Sequence, residues 1–530
     1  MAINPSRQMV TFWLFFFFGG APRRADGVRS SGKKMVRVKK TVVSDEAVLL
    51  AYREKLRSVV PDTSDDWWQT FVEASGRPLR RSISLTERYG GKNPENRVAW
   101  CDSGFFVDGE VGLSVEHVTG QFYVQEAAAM LAVSAMVEDF RGEEVVVIDA
   151  CAAPGGKTVQ LCGALRDVKA ASILANEVIS SRVAALTHNI VRCGLSSQIA
   201  VSHADASVIL AAAQDSADLV LMDAPCSGDT QSRRSNSSLA TQLRRETSPE
   251  LLAQQKKLLE AAVQAARPDG GKILYSTCSL DPAENEEIVK TVLSDTVHLD
   301  PPRIFQAKGI SPSPLLEGTA RIWPNEHQDT AGFFCARLVR EKKTTEKPPV
   351  EQKRTLSPFD EAFIIYLRDF WGVDHYELSK TLMRRGADLW LSPDFPFSIK
   401  LNRPGAKLLS GLATKGIKID QDHQLIRALE KGHVKCHHDF ALLFGPLSDH
   451  TLPLTNRQTL HAYLQGDDLE VPAALCRHTK PGSLLAVTSK NLVLGLAKIT
   501  HHTDSTLRIK NQLPRDLCRR AVFSPSETTT

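Results

Sequence analysis

The sequence predicts an α/β fold built on a doubly wound, Rossmann-like parallel sheet. Three observations predict it. Short apolar runs at 145–148, 170–175, 199–201, 217–222 and 272–276 alternate with helical stretches, the rhythm of strand–helix–strand units. The first run ends at Asp149 and opens a glycine-containing turn that leads into a helix. Acidic residues or cysteines stand where later runs end, and ligands of such sheets lie at the carboxyl ends of the strands.

The elements follow in order. A chain of 530 residues has room for about three domains at roughly 100–200 residues each. Residues 1–43 read as a disordered or dispensable extension. The apolar run at 11–18 is shorter than the about 20 residues a bilayer span needs. A poor cleavage pattern follows it, and a start at Met35 would omit it. Residues 44–118 form an N-terminal subdomain. It opens with a helix over 44–60, in which Ala47, Leu49, Leu50, Tyr52 and Leu56 recur at helical spacing, and it carries a basic patch at Arg77, Arg80 and Arg81. Residues 119–341 hold the predicted sheet, entered through a helix over 125–137. Residues 342–356 are charged and proline-containing, as in a linker. A helix over 357–382 begins a region ending near 445, and short strands and turns run from about 397 to 520, with a last domain over 446–522.

Composition bounds the partners. Net charge is only +4, but residues 22–40 and 471–520 each carry a local excess of seven positive charges, which attracts phosphate backbones. Ten scattered cysteines form no CxxC pair and fit a reducing compartment. Cys436, His437 and His438 lack a second ligand pair at a plausible spacing, so no metal is expected. No other segment has the length of a membrane span, so a soluble, cytoplasmic monomer without a membrane partner is expected.

Two constellations carry chemistry. The first is Asp149-Ala150-Cys151-Ala152-Ala153-Pro154-Gly155-Gly156-Lys157-Thr158. Small residues there let a ligand approach the backbone, and a helix N-terminus offers free N–H groups. Glu177 ends the next strand, 26 residues beyond Cys151, where a carboxylate can take both hydroxyls of a ribose. Asp205 follows the third strand, placed to reach an adenine amino group. A P-loop would need glycine where Cys151 stands, and the GxGxxG fingerprint is absent. The second constellation is a pair of cysteines. Asp223-Ala224-Pro225-Cys226-Ser227-Gly228 ends the fourth strand and Ser276-Thr277-Cys278-Ser279 the fifth. Neighbouring strand ends lie about 5 Å apart, so both thiols should face one crevice. A lone cysteine at a strand end is usually apolar filler; two flanked by Asp and by Pro/Gly/Ser turns are hard to read that way.

Together these motifs resemble the RsmB/RsmF group of RNA cytosine-5 methyltransferases, the Nop-Sun family, whose pattern is CAAPGxK, an acidic strand end, DAPCSG, and TCS or TCT. Gly120 to Ala127 and Ala331 to Arg337 resemble further family segments, and Ile509 to Leu517 resembles the closing motif of the RsmF branch. The resemblance implies an S-adenosylmethionine-dependent methyltransferase core, a small N-terminal α+β subdomain and a C-terminal PUA-like RNA-binding region. It implies that Cys151, Ala152, Ala153, Pro154, Gly155, Gly156, Lys157, Glu177, Arg182, Asp205 and Asp223 bind S-adenosylmethionine. It makes Cys278 the nucleophile, Cys226 the residue of product release, and Asp223 a contributor to cofactor or base. The thiolate would add to carbon 6 of cytosine and activate carbon 5, splitting one hard step into easier ones. Small-subunit ribosomal RNA is the implied substrate. Transfer RNA as substrate, or a catalytically idle ribosome-assembly factor, are the alternatives. After Ser227 the family usually reads Gly-acidic-Gly-Thr, whereas here Gly228-Asp229 is followed by Thr230-Gln231.

Overall fold

The computed structural model describes residues 44–231, 233, 238–243, 247–341, 358–373, 381–412, 434–476 and 480–518. The expected extension over 1–43 and the linker over 342–356 lie outside them. Strands β1 (Ser82–Leu85), β2 (Gly104–Phe106) and β3 (Phe122–Val124) form a small antiparallel sheet. The main sheet holds β4 (Glu144–Asp149), β5 (Ala170–Asn176), β6 (Ile199–Ser202), β7 (Leu219–Asp223), β8 (Asp269–Thr277), β9 (Val297–Leu299), β10 (Ser311–Pro312), β11 (Ala320–Ile322) and β12 (Phe333–Glu341). Its order is β10-β11-β12-β8-β7-β4-β5-β6, with β9 on β12.

Only β8-β7-β4-β5-β6 is parallel; β12 runs antiparallel to β8, so the sheet is mixed rather than wholly parallel. The reason is visible in β12, which is buried along its length except at Glu341. Burial on both faces, Arg337 and Arg340 included, leaves no pattern that states which way the strand points. In β4 the same two-sided cover is explicit. Val147 packs with Ile173, Leu221 and Leu274 on one face, and Ile148 with Leu174, Val220 and Ile273 on the other. Alternation along a strand sends successive side chains to opposite faces.

The helices differ from expectation mainly at their ends. The first spans Asp45–Leu56, and a second, Asp65–Gly76, is capped by the Ser64 side chain accepting from Trp67 N. The helix expected over 125–137 is Met130–Val137, because Gln125 N still donates to Ser82 O as a continuation of β3. The helix expected over 357–382 is Pro358–Trp371. Gly372 stops it at φ +64°, a left-handed conformation that suits glycine, and a Cβ there would meet Asp449 Oδ1 at 2.6 Å. Thr381 and Leu382 belong instead to β13 (Thr381–Arg385), in a sheet with β14 (Asp388–Ser392), β15 (Ala406–Ser410) and β16 (Lys435–Cys436). A last sheet holds β17 (Thr451–Pro453), β18 (Leu469–Pro472), β19 (Leu484–Ser489), β20 (Leu492–His502) and β21 (Thr506–Asn511). Arg403 bridges to Val201 on β6, with hydrogen bonds of 2.7, 2.8 and 3.0 Å between 201 and 402–403. Among the described residues no helix is long and apolar enough to cross a membrane.

A buried ion pair braces the loop after β8. Arg321 on β11 and Glu286 are both fully buried and meet at 2.5 Å. The third guanidinium nitrogen donates to Leu280 O at 2.8 Å, two residues beyond Cys278. Removing one partner of a buried pair leaves an uncompensated charge, at a cost of about 3–5 kcal/mol. Glu286→Ala should therefore lower the stability read from equilibrium urea denaturation by about that amount.

Candidate active site

The site grows from the pairing of β7 with β8. The two strands are parallel and in register, with Asp223 opposite Ser276. Ala224 N then donates to Ser276 O at 2.9 Å, so the segments leaving the strands start side by side. Their cysteines meet as the sequence led us to expect: Cys226 Sγ and Cys278 Sγ are 3.1 Å apart. Neither is fully buried. The hydrogen bond to Cys278 and then burial push the Cys226 thiol well up, which keeps Cys226 protonated.

The Gly228-Asp229-Thr230 turn, where the sequence leaves the family pattern, clasps the Cys278 loop. Gly228 sits at φ +66°. Thr230 Oγ1 donates to the carbonyl of Cys278 at 2.7 Å, and Asp229 accepts from Leu280 N at 3.0 Å and from Tyr52 Oη at 2.6 Å. Burial pushes the Asp229 carboxyl up to about 7. Sequence reasoning did not find Thr230, because its partner lies 48 residues away.

Beside the thiols, Asp223 is held by two groups. Lys157 Nζ donates to Oδ2 at 2.6 Å and Ser276 Oγ to Oδ1 at 2.8 Å. Lys157 comes from the first turn of the helix that follows β4, which joins the nucleotide-type loop to the cysteine crevice. In that turn Gly155 caps the helix Gly156–Ala164 at φ +110°, and a Cβ on Gly155 would press on Leu186 at 3.1 Å. Ala152 N donates to Asn176 O at 2.8 Å, at the end of β5. Asn176, which the sequence did not single out, is buried and donates to both Ala150 O and Ala204 O at 3.1 Å. It thereby ties the ends of three strands together. Glu177 is almost fully buried, accepting from Ile179 N at 2.8 Å and pairing with Arg182 at 3.2 Å. Arg182 also donates to Ala153 O at 2.5 Å, which brings the expected loop and acidic strand end together. Asp205 caps the next helix, accepting from Ser207 N and Oγ at 2.8 Å, and these bonds hold its carboxyl below its usual range. Burial pushes the Cys151 thiol far up, so Cys151 is a packing residue rather than a reactive one.

The residues fit a nucleoside-bearing cofactor. Asp149 Oδ2 accepts from Thr158 Oγ1 at 2.7 Å, whereas its buried Oδ1 has no hydrogen-bond partner among the described residues. The backbone N–H of Cys151 also acts on this carboxyl. Glu177 and Asp205 present acceptors at successive strand ends. Elsewhere, burial pulls His437 and His438 down to about 4, and Cys436 Sγ lies 3.8 Å from Tyr366 Oη. Among the described residues no cluster of His, Cys, Asp or Glu could hold a metal.

Burial raises the Asp149 carboxyl to about 7, against about 3.9 in an unfolded chain. Between those values the native state holds a proton that the unfolded state has lost, so stability falls as pH rises through the window. Asp229 contributes with the same sign. In Asp149→Asn the fall should shrink by up to about 4 kcal/mol, taking about 1.4 kcal/mol per pH unit. Urea midpoints of both proteins at about pH 4 and about pH 8 measure it.

The family model described as 16S rRNA methyltransferase RsmB/F matches residues 135–339, from the helix before β4 to β12. Ribosomal RNA small subunit methyltransferase F of Escherichia coli (strain K12) is 31% identical over 500 residues, covering 88% of this chain and 96% of the relative. Its namesake from Shigella boydii serotype 4 (strain Sb227) is 32% identical over 497 residues, with the same coverage of both chains. Among solved structures, a methyltransferase homologue from Pyrococcus horikoshii aligns with 55% of this chain and 99% of its own, at 25% identity and a TM-score of 0.42. With the thiol pair, the Asp149–Lys157 turn and a relative matched over nearly its whole length, the chain belongs to the RsmB/F family of 16S rRNA methyltransferases.

Proposed function

We propose that this protein methylates carbon 5 of a cytosine in 16S rRNA, with S-adenosylmethionine as methyl donor and Cys278 as covalent nucleophile. The observation that carries the proposal is the 3.1 Å approach of Cys226 and Cys278, next to a carboxylate fixed by Lys157 and Ser276.

The cofactor, held by the turn from Cys151 to Lys157 with Glu177, Arg182, Asp205 and Asp223, supplies an electrophilic methyl group. The chain's own residues do the rest. Cys278 as thiolate adds to carbon 6 of the base; the S–C6 bond forms and the electrons of the C5–C6 double bond make carbon 5 nucleophilic. Asp223 is the acid–base group for the ring during that addition, with Lys157 fixing its orientation. After methylation the carbon 5 proton must leave and the S–C6 bond must break. Cys226, within reach of the Cys278 sulfur, is the group for this release: once it has given up its own proton, its sulfur takes the carbon 5 proton as the electrons of the S–C6 bond return to Cys278. A base stacked in folded RNA must be unstacked to reach such a crevice.

The division into an N-terminal RNA-binding subdomain over 44–118, a catalytic domain over 119–341 and a PUA-like RNA-binding module over 446–522 belongs to the same proposal. Its support at the C-terminus is electrostatic. Lys498 faces Lys510 directly across β20 and β21. Like charges directly opposite in a sheet are unfavourable, and a phosphate backbone would relieve them.

Two experiments follow. With 16S rRNA and labelled S-adenosylmethionine, Cys226→Ala should accumulate a covalent protein–RNA adduct on denaturing gels. Cys278→Ala should form no adduct and lose methyl transfer at least on the order of 10³-fold. Transfer by Cys278→Ala at the native rate would remove it as nucleophile. Transfer to tRNA alone would move the substrate, and no transfer to any RNA would favour an assembly factor. Separately, Lys498→Glu with Lys510→Glu should weaken RNA binding and flatten the plot of log affinity against log salt by about 1–2.

A further inference from the structure

We propose that Glu284 is a positioning residue, a buried carboxylate strap that holds the two cysteine loops at their working separation. Glu284 is fully buried and accepts hydrogen bonds from four donors, all neutral. Ser227 N donates at 2.9 Å and Ser227 Oγ at 2.5 Å. Ser279 Oγ donates at 2.8 Å and Gln255 Nε2 at 2.9 Å. A buried carboxylate without a counter-charge is stable only when donors saturate it. The donors therefore order themselves around it as much as it depends on them.

Their placement gives the network its meaning. Ser227 follows Cys226 and Ser279 follows Cys278. A single oxygen, Oε1, accepts from both serine hydroxyls, so one atom links the residues next to the two thiols. Gln255 secures the other side of Cys226, because its amide also donates to Pro225 O at 2.8 Å. The backbone of Glu284 is fixed in turn by Tyr275 Oη, which donates to its carbonyl at 2.5 Å. Strand pairing alone sets where the loops begin. The strap sets how far apart Ser227 and Ser279 stand.

The role in turnover rests on the proposed function, because adding one thiol to a base and releasing it with the other needs both within reach of one ring. The separation itself can be measured without RNA or cofactor. Diamide, an azo oxidant, takes one hydrogen from each of two neighbouring thiols and leaves a disulfide. The rate at which the peptides carrying Cys226 and Cys278 become linked, read by mass spectrometry, is a ruler for the sulfur–sulfur distance. Glu284→Gln keeps the shape but turns an amide donor toward groups that are already donors. Capture should slow by about tenfold or more, and kcat on 16S rRNA should fall to a similar degree with KM within about twofold. In a Cys226→Ala background, adduct should accumulate more slowly when Glu284→Gln is added. Where Glu284→Gln does not fold, judged by circular dichroism and gel filtration, Ser279→Ala removes one arm of the strap and should slow capture by about threefold. A folded Glu284→Gln protein with native capture rate and kcat would overturn the inference. So would losses that merely track the fraction of folded protein. If the native protein methylates no RNA, the function proposed above falls, and the capture rate alone decides the role of Glu284.

Discussion

Parallel pairing of β7 and β8, with Asp223 level with Ser276, is the constraint on which the site depends. Adjacent strands stand about 4.8 Å apart, and a shift of one residue would turn every following side chain to the opposite face. In the observed register two short loops leave the sheet together. Ser276 reaches Asp223 across the pair, and Cys226 reaches Cys278. The crossover that makes this pairing possible contains the helix Pro249–Ala265, begun by the Ser248 cap and a proline in its first turn. That helix also delivers Gln255 to the Pro225 carbonyl. One connection thus sets the strand direction and furnishes part of the loop's support.

Much of this was legible in the sequence, for identifiable reasons. The parallel strands are buried on both faces, so each shows as an unbroken apolar run, and glycine, acidic and cysteine signals stand where the runs stop. The pairing of Glu177 with Arg182 lies within five residues. Other features were illegible because their causes are not local. Nothing in the run at 333–341 states its direction. The turn at Gly372 is defined by a backbone angle and by Asp449 nearby, neither of which a helical periodicity reports. Asn176, Asp229 and Thr230 look like ordinary polar residues until partners from distant segments surround them. Residues that touch a ligand come in recognisable motifs, whereas those that hold the motifs in place do not.

The N-terminal segment is part of the wall of the site. Tyr52 bonds to Asp229, and Lys55 pairs with Asp281 at 2.6 Å. Around these polar contacts Tyr52, Leu56 and Phe71 pack with Leu239, Leu280 and Trp323. Leu280 belongs to the loop that Asp229 and Arg321 also hold. The loop carrying Cys278 is therefore fixed from the N-terminal helices, from the turn after β7 and from β11 at once. Such over-determination suits the role proposed for Cys278, since small displacements of reacting groups cost large factors in rate.

The bridge between Val201 and Arg403 has a consequence for how the chain can be divided. In the strand order β6 stands last, and the outer rim of a sheet is a row of peptide groups open to any passing strand. Both peptide groups of Val201 are engaged by residues 402 and 403, about two hundred positions later in the chain. The later region thus acts as a selvedge, a woven border that keeps the cloth from fraying. A fragment cut after the main sheet would retain every residue of the crevice, yet it would expose that unfinished border to its neighbours.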